Sequence, residues 1–131
     1  DIAKYLIKKL DIATPGIYTP VRMLSGGNVQ KVLLGREIEA GRDVLIVSYP
    51  VRGLDINSSY MIYNLLDEER KRGTAIIFVG EDLDVLMALS DRIMVMADHR
   101  IAGITDARTV TKDYLGSLMT DTKGQVIYNG K

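Results

Sequence analysis

The octet LSGGNVQK, Leu24 to Lys31, carries the residue types that could read a phosphate. Ser25, Gly26 and Gly27 stand where a loop enters a helix, and such an end offers unpaired N–H groups and a positive dipole. Glycines let the backbone come close to a phosphate, and the serine hydroxyl adds a donor. Taken alone, Ser-Gly-Gly before a helix is also an ordinary turn with an N-cap. The order of the segments beyond the octet adds weight: a helical stretch, the apolar run leading into VLIVSYPVRGLD, a second helical stretch, an apolar run ending at GEDLD, and then LSDRIMVM. Ser48, at the end of the first apolar run, is the other candidate for chemistry, as a hydrolase nucleophile. It lacks a GxSxG elbow and has no histidine near it in sequence, so a structural polar residue at a strand end is the preferred reading. The single histidine, His99, falls between two predicted strands and reads as a solvated turn residue.

The elements that must position these residues alternate. Asp1 to Leu10 is a short amphipathic helix candidate, and ATPGIYTP is an irregular connector. A helix is expected from Asn28 to Ala40, with Gly41 as its C-terminal stop. DVLIVS is a short apolar run of buried-strand type. Ser58 to Arg72 repeats Met61, Ile62, Leu65 and Leu66 at helical spacing, and Gly73 closes it. TAIIFVG is a second buried strand and Asp82 to Leu89 a third helix. RIMVMADHRIAGITD forms two strands around a tight turn, Lys112 to Met119 a last helix, and the tail from Thr120 is polar without periodicity. Tyr5, Tyr60 and Tyr63 read as helix-face packing, and DEERKR as a solvated helix end with its basic residues favourably placed. Strands alternating with helices predict an α/β fold with a parallel sheet.

Composition sets bounds. With 131 residues, 47% of them hydrophobic and 26% charged, the chain is ordinary globular material for one small domain. Its 17 basic and 17 acidic residues give no net field toward nucleic acid or an anionic membrane. The absence of cysteine excludes disulfides and thiolate metal sites, and no other metal site is expected. No apolar run reaches the ~18 to 20 residues of a membrane helix. A first residue other than Met, with no signal-peptide pattern after it, reads as an excerpt of a longer chain.

In combination, these motifs resemble the ATP-binding-cassette (ABC) family, and within it the energy subunits of importers for simple sugars and nucleosides. LSGG, Leu24 to Gly27, resembles the family signature, with Asn28 and Lys31 in the sugar-type variant; VLIVSYP occupies the Walker B strand, RGLD (Arg52 to Asp55) the D-loop, and Phe78 to Asp84 the switch region. The resemblance spans Ile2 to Met119. It implies a partial P-loop NTPase-like layered fold with a parallel sheet, flanking helices and a C-terminal β-hairpin. It also implies three parts: 1–41 in the helical signature subdomain, 42–119 in the ATPase core, and 120–131 as a polar tail.

The resemblance further implies cofactors, partners and roles. ATP would contact Ser25, Gly26, Gly27, Asn28 and Asp55, with Mg²⁺ held mainly by a partner half, a second nucleotide-binding domain. A transmembrane permease would be the other partner, and the location the cytoplasmic face of the membrane. The sequence departs from hydrolysing members: Ser48 and Tyr49 stand at the Asp and Glu of Walker B, and Glu81 at the switch histidine. Neither Ser48 nor Tyr49 carries the charge that chemistry uses, and an ionised Glu81 repels a γ-phosphate. A GxxxxGK(S/T) phosphate loop is missing too, as expected of an excerpt. The chain is thus read as part of a degenerate second half that lends its signature in trans. A regulatory module without transport is the alternative. The strand that enters the phosphate loop would lie between 75–79 and 92–96, so those flanking strands must pair directly or expose apolar edges, although Ile76, Ile77, Ile93 and Val95 are residues that strands bury.

Overall fold

Along VLIVS, Leu45 and Val47 are buried while Val44, Ile46 and Ser48 are exposed, the two-residue alternation of a strand covered on one face. This strand, β1 (Val44–Ser48), pairs in parallel with β2 (Ala75–Val79), Val44 opposite Ala75 and Ser48 opposite Val79. The computed structural model describes residues 1–120 and 127–128, and the chain divides into two compact units, Asp1–Val79 and Gly80–Lys131. The fold class is the α/β architecture expected from the sequence, a parallel pair with flanking helices and an antiparallel hairpin.

In the first unit, α1 (Ile2–Lys9) precedes a 3-10 turn (Val21–Met23), α2 (Gly26–Glu39), β1, α3 (Ile56–Lys71) and β2. Parallel neighbours need a crossover, and α3 supplies it. The core joins Leu10, Ile12, Leu34, Ile38, Leu45, Val47, Ile62, Leu65 and Leu66; each such side chain contributes about 1.5–3 kcal/mol when buried. α2 and α3 are stopped by Gly41 (φ +63°) and Gly73 (φ +102°), left-handed positions where an L side chain is strained. Gly35 serves a different end. A methyl group there would lie 2.7 Å from Leu10 Cδ1 and 2.9 Å from Leu6 Cδ2, so its bareness lets α1 and its exit close on α2.

In the second unit, α4 (Leu83–Leu89) leads to β3 (Arg92–Ala97), β4 (Arg100–Asp106), α5 (Lys112–Thr120) and the short β5 (Ile127–Tyr128). β3 and β4 are antiparallel with a register shift at Val95/Met96. Their two-residue turn has both φ angles positive, Asp98 at +48° and His99 at +60°, as the right-handed strand twist favours. Ile93, Val95, Ala107, Leu115 and Leu118 form the core. The expected polar tail, 120–131, lies outside the described residues except for Thr120, which ends α5, and β5, which pairs in parallel with β4.

Three expectations change. Ile77 is 51% exposed rather than buried, on the face of β1 and β2 that also bears Val44, Ile46 and Val79. Tyr5 and Tyr60 are likewise exposed, whereas Tyr63 packs edge-on against Phe78, at 6.3 Å between ring centres. Within DEERKR, Glu69 is buried rather than solvated, its carboxylate taken by Arg72 at 2.5 Å. Among the described residues no helix is long and apolar enough to cross a membrane.

Candidate functional site

Ser25 is the N-cap residue of α2, yet its side chain caps no backbone N–H. The helix begins at Gly26 rather than at Asn28, so Gly26, Gly27 and Asn28 form its first turn. The first intrahelical bond is Val29 N to Ser25 O, at 2.9 Å, and the N–H groups of Gly26, Gly27 and Asn28 have no recorded acceptor among the described residues. A methyl group on Gly26 would meet nothing within 4 Å. The turn therefore presents donors and an open approach, the conditions for an anion.

Asn28 sets the serine. Its Oδ1 accepts from Ala13 N at 2.9 Å, which turns its amide nitrogen toward Ser25 Oγ, also 2.9 Å away. Ser25 Oγ accepts that bond, leaving its own proton to donate elsewhere. Lys31, only 6% exposed, donates from Nζ to Asp11 O at 3.0 Å, tying α2 to the exit of α1. Asn28 and Lys31 thus hold the connector to the octet from two points.

RGLD lies just beyond β1. Arg52 N donates to Tyr49 O at 3.1 Å and Leu54 N to Val51 O at 3.0 Å, folding the segment into successive turns. Asp55 caps α3: Oδ1 accepts from Ser58 N at 2.9 Å and Oδ2 from Ser58 Oγ at 2.7 Å. These two donors, the backbone N–H first, hold its carboxyl below the ordinary value of 3.8. From the sequence this helix is expected to begin at Ser58, with no capping role for Asp55; the Asp immediately before the observed helix start is the signal that was passed over.

Ser48 ends β1 and Tyr49 follows it. Ser48 is exposed and makes no recorded side-chain hydrogen bond among the described residues, so the nucleophile–base contact of a hydrolase is not formed. Tyr49 has φ +49° and is 40% exposed; its N–H donates to Val79 O at 2.8 Å, and the Arg52 guanidinium carbon stands 6.0 Å from its ring centre. Sequence reasoning missed that strained backbone and the stacked arginine, which depend on the turn rather than on residue type. Ser25, Gly26, Gly27, Asn28, Ser48, Tyr49 and Asp55 all belong to the first unit. Glu81 is exposed in the loop before α4, in the second unit.

A parallel β–α–β core preceded by an open, glycine-bearing helix N-terminus is an α/β arrangement that solved structures share. A dimeric bacterial ABC transporter cassette superposes with a TM-score of 0.71 at 21% identity, over 83% of this chain and 47% of that one. An inward-facing metal-chelate-type ABC transporter gives 0.73 at 17% identity, over 90% and 47%. No family model matches the chain. Among curated proteins, the chain is 41% identical over 117 residues to the guanosine import ATP-binding protein NupO of Bacillus subtilis, covering 89% of this chain and 23% of that protein. It is 43% identical over 115 residues to the ribose import ATP-binding protein RbsA of the same organism, covering 88% and 23%. For the galactose/methyl galactoside import ATP-binding protein MglA of Escherichia coli the figures are 36% over 110 residues, 84% and 22%. The chain spans about a fifth of the length of these relatives. It belongs to the ATP-binding-cassette family.

Proposed function

We propose that this chain is part of the ATP-binding subunit of an importer for sugars or nucleosides. In this reading residues 1–41 belong to the helical signature subdomain and 42–119 to the ATPase core. The turn at Ser25, Gly26 and Gly27 closes over an ATP held by a partner nucleotide-binding half, while the chain's own hydrolytic positions are silent. The observation that carries the reading is the first turn of α2, with three N–H groups free of recorded acceptors and an unobstructed Gly26. Those N–H groups and the Ser25 proton would donate to phosphate oxygens, and such charge-assisted bonds are about twice as strong as neutral ones. Asn28 acts by orienting Ser25. Asp55, fixed at the start of α3 by Ser58, faces the opposite half.

Mg²⁺ does not fit this chain's own strand end: Ser48 and Tyr49 offer no carboxylate to hold it. Tyr49 and Ser48 cannot orient and polarise an attacking water as paired carboxylates do. The relatives' names give the direction of transport and the solute class, and a permease and a position at the cytoplasmic membrane surface accompany that class of machine. Zero net charge supports no nucleic-acid role. The test is steady-state ATP turnover in the full-length protein assembled with its permease. Gly26→Asp is expected to abolish turnover, because it sets a side chain and a negative charge in the phosphate's path, whereas Tyr49→Ala is expected to change it little. Turnover that survives Gly26→Asp would overturn the reading.

A further inference from the structure

The two glycines of the turn face different things. Gly26 is open, but a methyl group on Gly27 would lie 2.9 Å from Leu54 Cδ2, closer than carbon atoms approach. Gly27 has no left-handed φ, so its bareness serves this approach rather than a backbone conformation. Leu54 packs partly buried against the core of the first unit, and it closes the turn from Val51 through its N–H. The next residue is Asp55, whose carboxylate is pinned by Ser58. Leu54 therefore sits at the joint between the octet and RGLD, its methyl group filling the space that Gly27 leaves.

We propose that Leu54 is a positioning residue: seated on the bare backbone of Gly27, it sets the turn at Ser25–Gly27 and the segment Arg52–Asp55 as one body, so that neither is placed without the other. Packed interiors transmit displacement because they have few voids, and a Gly27 side chain must displace either α2 or Leu54. The buried Lys31, three and four residues along the same helix face from Asn28 and Gly27, resists movement of α2 through its bond to Asp11 O. The atom met is a methyl at the end of the Leu54 side chain, so Leu54 turns away first and loses the seat on Gly27 that fixes the segment leading into Asp55. This inference rests on the phosphate-contacting reading of the turn, and it adds that the second glycine works through Leu54 and not through the ligand.

The experiment is a double-mutant cycle in the full-length protein assembled with its permease, with kcat and KM for ATP measured for Gly27→Ala, Leu54→Val and the pair. Each single change is expected to lower kcat by about tenfold to a hundredfold, the loss that a misplacement of about 1 Å produces, with KM moved by less than about threefold. In the pair, the new methyl occupies the space vacated by the leucine methyls, and kcat is expected to return to within about threefold of the parent. If Gly27→Ala does not assemble, restored assembly and kcat in the pair support the coupling, and a pair that still fails counts against it. Losses that multiply in the pair, or a Gly27→Ala protein with parental kcat, overturn it. Gly26→Asp run alongside separates the two claims. Turnover intact in Gly26→Asp removes the phosphate reading itself. Turnover abolished there, with multiplying losses in the cycle, removes only the role of Leu54.

Discussion

Thr105 keeps a hydroxyl inside the second unit with no hydrogen-bond partner in the described structure, and the residue is 6% exposed. An unpaired buried hydroxyl is unfavourable, so Thr105→Val in the full-length protein is expected to raise stability by about 1 kcal/mol, read from the denaturant midpoint. Asp55 gives the opposite kind of prediction. Its folded carboxyl titrates below the ordinary 3.8 because Ser58 donates to the charged form. A lowered folded value means that the capping contribution is complete above the ordinary value and is lost as pH falls through the folded one. Melting temperatures measured from pH 5 downward should therefore fall more steeply below about pH 4 in the parent than in Asp55→Asn, which keeps an acceptor but no charge. Asp67 and Asp106, also lowered, by Lys71 with Arg70 and by Arg108, titrate in both proteins and cancel in the comparison. At this scale the sequence showed which residues could donate to a phosphate, since Ser and Gly are legible by type. It did not show that Asn28 holds Ser25 or that Gly27 answers to Leu54: the first depends on Ala13 turning the amide, and the second joins segments far apart in the chain.

The elements were legible where periodicity was strong. Met61, Ile62, Leu65 and Leu66 placed α3 by their spacing, and short continuous apolar runs placed β1 and β2. The start of α2 was not: glycine disfavours helix interiors, so Gly26 and Gly27 read as loop, yet in a first turn their N–H groups lack intrahelical acceptors in any case and the penalty is smaller. Gly35 shows the converse. Its helix propensity argues for alanine, but Leu6 and Leu10 occupy the space a methyl would need. Gly35→Ala is expected to destabilise by about 1–3 kcal/mol through overpacking, despite the better propensity, and the thermal midpoint of the full-length protein should fall. A rise would mean that α1 yields without loss. β5 was unreadable because two residues carry no period; its partner is the edge of β4.

At the scale of the whole molecule, the informative feature is what the strands leave bare. Val44, Ile46, Ile77 and Val79 are exposed on one face of β1 and β2, and Met94 and Met96 on β3. Parallel sheets are normally covered on both faces, and among the described residues β2 pairs only with β1 while β3 pairs with β4. Ile93 and Val95 are buried and Ile76 is half-buried against the first unit's core, so the exposure falls on Ile77, Val79, Met94 and Met96. Residues 1–131 purified alone are expected to self-associate, and sedimentation should give a mass above the monomer. A monomer with a cooperative melt would contradict this.

The same scale holds the central claim, that this chain offers a phosphate-contacting turn to a partner while its own strand end hydrolyses nothing. It is tested most directly by counting phosphate in a single turnover of the full-length protein, loaded with ATP at the two sites that the proposed pairing of halves would form. The account expects about half of the bound ATP to be hydrolysed, in a single phase, with no change on Ser48→Ala or Tyr49→Phe, since neither side chain takes part in the chemistry. Hydrolysis of all the bound ATP, with a second phase removed by either substitution, would contradict it.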